Sequence, residues 1–127
     1  MANDRLIRVV IIDDHPGVRA GIKNLLWLDK KILVVGEGGD GDDALRLAKK
    51  LQPEIIMLDF ELPKIHGSQV LIRLQKEFPH IKVLILSSYN DGVYIQTMLE
   101  NGAAGYLVKD KVPEQLTHAL HHISEGG

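Results

Sequence analysis

Asp13-Asp14, Asp59, Ser87 and Lys109 each stand directly after a short run of branched apolar residues. The runs are 9–12, 55–58, 83–86 and the Tyr106-Leu107-Val108 stretch. Three carboxylates, a hydroxyl and an ammonium are groups that can hold a cation and steady a transferring phosphoryl group. Like charges about 4 Å apart repel by roughly 4 kcal/mol at an effective dielectric near 20, so the acids need a cation once they meet. Oxygen ligands with no His or Cys in register suit a hard ion, and Mg2+ is the expected one. The set fits phosphoryl transfer, in which metal and ammonium neutralise the equatorial oxygens while a carboxylate attacks in line. Asp59 is the best-placed nucleophile, and its product would be an acyl phosphate.

Whether these side chains meet depends on the elements that carry them. Apolar runs at 7–12, 32–36, 55–58, 82–86 and 104–108 alternate with segments of helical period. The runs are continuous rather than alternating, as in strands covered on both faces. Val18, Ile22, Leu25 and Leu26 share a face of the first helix, Val70, Leu71, Leu74 and Phe78 of the third, and Leu116, Leu120 and Ile123 of the last. Asp40 with Asp43 suits the start of the second helix, Asn90 or Asp91 that of the fourth, and Pro113 the first turn of the fifth. Gly36, Pro53, Pro79 and Gly102 should close segments. Strand and helix in strict alternation predict an α/β fold, a doubly wound five-stranded parallel sheet with five helices on both faces. In such sheets the functional crevice lies beyond the carboxyl ends of the strands, and the flavodoxin-like order 2-1-3-4-5 makes the first and third strands neighbours. Asp13, Asp14 and Asp59 then converge.

Composition narrows the classes. A chain of 127 residues with 45% hydrophobic content predicts one domain, residues 1–127, with a real core. The absence of Cys excludes a disulfide framework and a thiolate nucleophile. A net charge of -2 argues against a dedicated nucleic-acid binder. Met1-Ala2-Asn3-Asp4-Arg5 has no apolar leader and no run can span a bilayer, so a cytoplasmic location is expected. No G-x-S-x-G elbow, phosphate-loop motif or G-x-G-x-x-G after the first strand is present, and Gly36-Glu37-Gly38-Gly39 reads as a loop after the second.

Taken together, Asp13-Asp14, Asp59-Phe60-Glu61-Leu62-Pro63 with Gly67 beyond, Ser87, and Tyr106-Leu107-Val108-Lys109 resemble the receiver domain of two-component response regulators over essentially the whole chain. Asp14-His15-Pro16-Gly17-Val18-Arg19, Leu86-Ser87-Ser88-Tyr89 and Gly102-Ala103-Ala104-Gly105-Tyr106 are similar to the LuxR/NarL-type transcription regulators. The resemblance implies a CheY-like fold and a switch rather than an enzyme, limited to Mg2+-dependent self-phosphorylation and autodephosphorylation. It implies that Asp59 accepts a phosphoryl group from a phosphohistidine on a sensor histidine kinase. Asp14, Asp59 and the backbone carbonyl of Glu61 would bind Mg2+, with Asp13 helping through water. Ser87 would bond one phosphoryl oxygen and Lys109 another, and Tyr106 would repack inward as Ser87 moves. His66 departs from the Asp or Asn common at its loop position. The kinase is expected near the first helix, and the face of helix 4, strand 5 and helix 5 is a plausible dimer site. A helix-turn-helix DNA-binding domain follows the receiver in that subgroup, so DNA contact would run through it.

Plainer readings stand beside these. Asp13-Asp14 alone would be a turn, Lys109 a surface lysine, and Ser87 or Ser88 a strand-end hydroxyl. His118, His121 and His122 read as an exposed or interface face, since no acidic or Cys partner completes a metal set, and His15 as a subgroup mark without a catalytic role. Trp27 is expected to pack at the end of the first helix, Tyr106 to be partly buried at rest, and Glu61 and Tyr89 to flank the pocket. A Mg2+-dependent phosphohydrolase would need a substrate pocket and a general acid beside Asp59. A flavin carrier is disfavoured by one Trp, three Tyr and two Phe, and by acids where a phosphate should sit. A stand-alone phosphorelay or partner-binding receiver is the milder alternative.

Overall fold

The computed structural model describes residues 5–63 and 65–126. Met1-Ala2-Asn3-Asp4, on which the leader expectation rests, and Gly127 lie outside the described residues. Within them the chain runs β1 (Ile7–Ile12), α1 (Pro16–Trp27), β2 (Ile32–Gly38), α2 (Gly41–Leu51) and β3 (Ile55–Asp59). It continues through α3 (Gly67–Glu77), β4 (Lys82–Ser87), α4 (Gly92–Glu100), β5 (Gly105–Val108), a 3-10 turn (Lys109–Lys111) and α5 (Val112–Ser124). All strand pairs are parallel, in the order β2-β1-β3-β4-β5, as the alternation predicts.

The sheet separates two apolar layers, and β1 shows how. Val10 and Ile12 pack with Ala44, Leu47 and Ala48 of α2, Val70, Leu71 and Leu74 of α3 and Met98 of α4. Val9 and Ile11 pack with Ile22 and Leu26 of α1 and Leu116, Leu120 and Ile123 of α5. Alternate side chains of one strand thus serve opposite layers, which is why the runs carry no polar residue in every second place. All five residues of β3 are buried.

Helix starts follow the expected capping, with Asp91 rather than Asn90 at α4. Asp40 accepts from the Asp43 N–H at 2.8 Å, and Asp91 accepts from the N–H groups of Val93 and Tyr94. Gly67 opens α3 where a Cβ would come within 2.6 Å of the Phe60 carbonyl oxygen, so the segment after β3 folds back tightly on the strand end.

Three expectations need correction. Gly36 does not close β2: it pairs with Val10, and the strand runs on through Glu37 and Gly38, so most of the glycine-rich stretch is strand rather than loop. A side chain at Gly36 would meet Leu51 at 2.8 Å, so packing of α2 accounts for that glycine. Val18 shares the face of Ile22 and Leu26, as its spacing predicts, but in the first turn of α1 it stays 39% exposed while those two are buried. Phe78, the C-cap of α3, is partly buried and packs against the layer of Val70, Leu71 and Leu74, as expected. Trp27 does not pack: it is 85% exposed beside Leu26 at 1%, because one helical residue further is about 100° round the axis.

Candidate functional site

The buried polar or charged residues among the described ones are Asp13, Asp59 and Ser87, each at 0% exposure. All three occupy carboxyl ends of neighbouring strands. Asp13 extends β1, its N–H donating to the Gly38 carbonyl at 3.0 Å. Asp59 is the last residue of β3 and Ser87 the last of β4, while Lys109 follows β5. The topology alone therefore brings these side chains to one edge, as expected from their places after the apolar runs.

Lys109 Nζ donates to Asp59 Oδ1 at 3.0 Å and lies 3.9 Å from Asp13 Oδ2. The Glu61 N–H also donates to Asp59 Oδ1, at 3.0 Å. Asp59 Oδ2 and Asp13 Oδ2 are buried without a hydrogen-bond partner. Burial pushes the Asp59 carboxyl above its ordinary range; the Lys109 and Glu61 contacts oppose this, and the charge of Asp13 adds to it. Lys109 stays charged. Desolvation acts to lower its pKa, but the Asp59 hydrogen bond and the charges of Asp59, Asp13 and Glu61 together raise it.

Asp13, Asp14, His15 and Asp59 each offer one ligand atom, and the four atoms lie within 4.8 Å of one another. The two orphaned buried carboxylate oxygens and this donor set fit a divalent cation. His15, expected only as a subgroup mark without a catalytic role, is hydrogen-bonded to the acids. His15 Nδ1 lies 3.0 Å from Asp13 Oδ1 and 2.9 Å from Asp14 Oδ1. Its sequence signal was adjacency to the acids, which by itself says nothing about where the ring turns.

Ser87 Oγ accepts from the Tyr89 N–H at 3.1 Å, and the Tyr106 hydroxyl donates to the Tyr89 carbonyl at 3.1 Å. Ser87 and Tyr106 are thus tied to opposite sides of one backbone unit. The exposed Ser88 donates its N–H to Glu61 Oε1 at 3.3 Å, linking the segments after β3 and β4. Tyr106 is partly buried, as expected, and burial raises its pKa while a hydrogen bond to Ser87 opposes the shift. Tyr94, packed edge-on to Phe60 and beside Tyr89, is pushed up to about 12, first by burial and then by Tyr106, Tyr89 and Glu61.

His66 keeps away from the acids. It caps α3 by accepting from the Ser68 N–H at 3.2 Å and meets the Phe60 ring edge-on at 4.9 Å. On α5 the exposed His118 and His122 rings stack at 6.3 Å. His121 meets one acid, its Nε2 lying 2.7 Å from Asp29 Oδ2, which ties α5 to the segment after α1. Among the described residues no helix is long and apolar enough to cross a membrane.

Comparison with known proteins gives a consistent result. Residues 9–121 match the model of the response regulator receiver domain. The chain is 37% identical to the transcriptional regulatory protein DegU of Brevibacillus brevis over 98% of its length and 53% of that protein's. It is 36% identical to the nitrate/nitrite response regulator protein NarL of Escherichia coli strain K12, covering 99% of this chain and 58% of that one. The chain thus spans little more than half the length of these relatives. The signal receiver domain of a NarL response regulator from Mycobacterium tuberculosis superposes with a TM-score of 0.90 at 33% identity, covering 97% of this chain and 99% of that one. The isolated REC domain of RcsB from Salmonella enterica serovar Typhimurium, in the presence of phosphomimetic BeF3-, superposes at 0.89 with 26% identity over 96% and 91%.

Proposed function

The chain belongs to the response regulator receiver domain family, and from that premise we propose that Asp59 accepts a phosphoryl group from a phosphohistidine on a sensor histidine kinase. The observation that carries this reading is a fully buried carboxylate with one oxygen held by Lys109 and the other without a partner. The Lys109 ammonium steadies one oxygen, and the other, which no group among the described residues holds, is free to bond to phosphorus.

In the transfer, an Asp59 oxygen bonds to phosphorus as the P–N bond of the donor breaks. The electron pair returns to the donor imidazole, which takes a proton from water. Lys109 then pairs with a phosphoryl oxygen from its place beside Asp59 Oδ1. Asp13, Asp14 and Asp59, with the backbone carbonyl of Glu61, are the groups that would hold Mg2+, which when bound supplies positive charge against the added phosphoryl oxygens. Self-phosphorylation from small donors and autodephosphorylation use the same groups.

The switch follows from Ser87 and Tyr106. A phosphoryl group brings about −1.5 to −2 charge and three strong acceptors. If Ser87 turns to donate to one of them, its bond from the Tyr89 N–H is lost. The bond from Tyr106 to the Tyr89 carbonyl then loses its fixed partner, and Tyr106 repacks. The surface that changes is α4, β5 and α5, which we assign to dimerisation or output, with kinase docking near α1. DegU is named a transcriptional regulatory protein, which supports transcription as the output through a DNA-binding domain, in the cytoplasm. The alternative, a relay or partner-binding receiver without DNA-binding output, is separated by whether phosphorylation of the full-length protein alters DNA binding.

Incubation with acetyl phosphate and Mg2+ should add one phosphoryl mass to the wild-type chain and none to Asp59→Asn. Labelling that survives in Asp59→Asn would overturn the assignment.

A further inference from the structure

We propose that His118 and His122 of α5 hold one Zn2+ between two copies of this chain, each copy supplying both imidazoles. The site is separate from the acidic notch at the strand ends and does not depend on how that notch is read. The two residues stand four apart in the helix, so their side chains share one face a turn apart. Their rings lie 6.3 Å from each other with planes 16° from parallel, close to the rise of about 6 Å over four helical residues. Both are exposed, while Leu116, Leu120 and Ile123 on the far side of the helix are buried and hold it against the sheet.

What singles out this pair is the state of its nitrogens. His15 meets Asp13 and Asp14, His66 meets Ser68, His80 meets Gln52 and His121 meets Asp29. Among the described residues, His118 and His122 are the two histidines whose rings have no hydrogen-bond partner, and the contact each ring makes is with the other. Their lone pairs are open to a ligand at no cost in protein contacts. Tilting two exposed rings toward one ion needs no change of backbone, as in helices whose i, i+4 histidines bind zinc. Nitrogen donors favour such ions over Mg2+. Ala119 stands where a zinc peptidase helix carries its glutamate base, so this pair binds a metal without hydrolytic chemistry. A structural zinc site takes four protein ligands and a catalytic one three, and two fall short of either. No third ligand on this chain is in reach: the group of three or more such side chains found among the described residues is the acidic notch. A two-fold axis through the ion turns two imidazoles into four, with the same patch of each copy in contact. Glu114 and Glu125, exposed on the same stripe, draw a dication in and oppose pairing of two copies without one.

Sedimentation velocity and calorimetry on the chain test this with Zn2+ as the probe, in excess Mg2+ so that the acidic notch is occupied. The wild type should be monomeric with Mg2+ alone and should double its mass on binding one Zn2+ per two chains. His118→Ala and His122→Ala, checked for folding by thermal melts, should each stay monomeric. Each should lose zinc affinity by at least about tenfold, the loss that removing even an outer-shell partner brings. His121→Ala, one residue round the helix, should pair as the wild type does. Independently of any variant, Co2+ in place of Zn2+ should give the intense visible absorption of a tetrahedral ion. Pairing without Zn2+, one Zn2+ per chain with no change of mass, an octahedral Co2+ spectrum, or pairing that survives loss of either histidine would each overturn the proposal.

Discussion

Two charged clusters lie near each other in this molecule and behave in opposite ways. In one, Glu37 near the end of β2 accepts from Arg19 at 2.9 Å and from Lys23, at a partly exposed surface. The hydrogen bonds from Lys23 and then Arg19 hold its carboxyl below the ordinary range, and its partial burial does not overcome them. In the other, Asp59 is wholly buried among like charges with one ammonium beside it, and burial raises its pKa. Two cations for one acid make a clasp; three acids for one cation leave negative charge that a further cation can offset. Arg19 touches both regions, since it also donates to the Asp13 carbonyl at 2.5 Å and so braces the notch from outside.

The sharpest way to break the contrast is chemical. Asp59→Asn should abolish phosphoryl uptake from acetyl phosphate by intact mass, whereas Glu37→Gln should leave labelling in place. Next in size is the effect of the dication on folding. At a hundredfold excess over its dissociation constant, an ion that binds only the folded chain adds about 2.7 kcal/mol. Thermal melts with and without Mg2+ should show that gain in the wild type and in Glu37→Gln, with most of it gone in Asp59→Asn.

Without metal, the two substitutions should move stability in opposite directions. Removing the Asp59 charge relieves the buried repulsion and should raise stability by roughly 1 kcal/mol, a shift of a few degrees. Glu37→Gln should lower it by less than about 1 kcal/mol, the usual worth of a surface pair. A fall in Asp59→Asn would mean that the Lys109 pair outweighs the crowding.

The smallest effect is the pH dependence, again with opposite signs. Asp59 has a folded pKa above 3.8, so the folded chain keeps that proton longer and the group's contribution declines as pH rises from 3.8 through the raised value. Glu37 has a folded pKa below 4.5; its contribution is present above 4.5 and is lost as pH falls through the lowered value. On the alkaline side, the Lys109 contribution is full below 10.5 and is lost as pH climbs through its raised pKa. Denaturant melts across pH on Asp59→Asn, Glu37→Gln and Lys109→Ala should each flatten the matching limb.

Much of the site was legible because burial on both faces of a strand demands an unbroken apolar run, and the first polar residue after the run marks the strand end. That reasoning located Asp13, Asp59, Ser87 and Lys109 without coordinates. It failed where local pattern and packing part ways. Glu37 and two glycines looked like a loop, but pairing with β1 extends β2 through them. Trp27 was expected to pack at the end of the first helix, yet the helix turns it to solvent. His15 and His121 found acidic partners through turns of the backbone, one local and one from the far end of the chain, that no periodicity encodes.

Residue order alone determined the parallel sheet, its strand ends and the kinds of groups gathered there, since these follow from which side chains avoid water and how often they recur. Only the tertiary structure decided that one Asp59 oxygen is held while the other has no partner, that Lys109 is shared between two acids, and that an imidazole stands within hydrogen-bond distance of both members of the acidic pair. Those outcomes depend on separations of a few ångströms and on how much water is excluded. Both quantities arise only once distant segments of the chain have packed together.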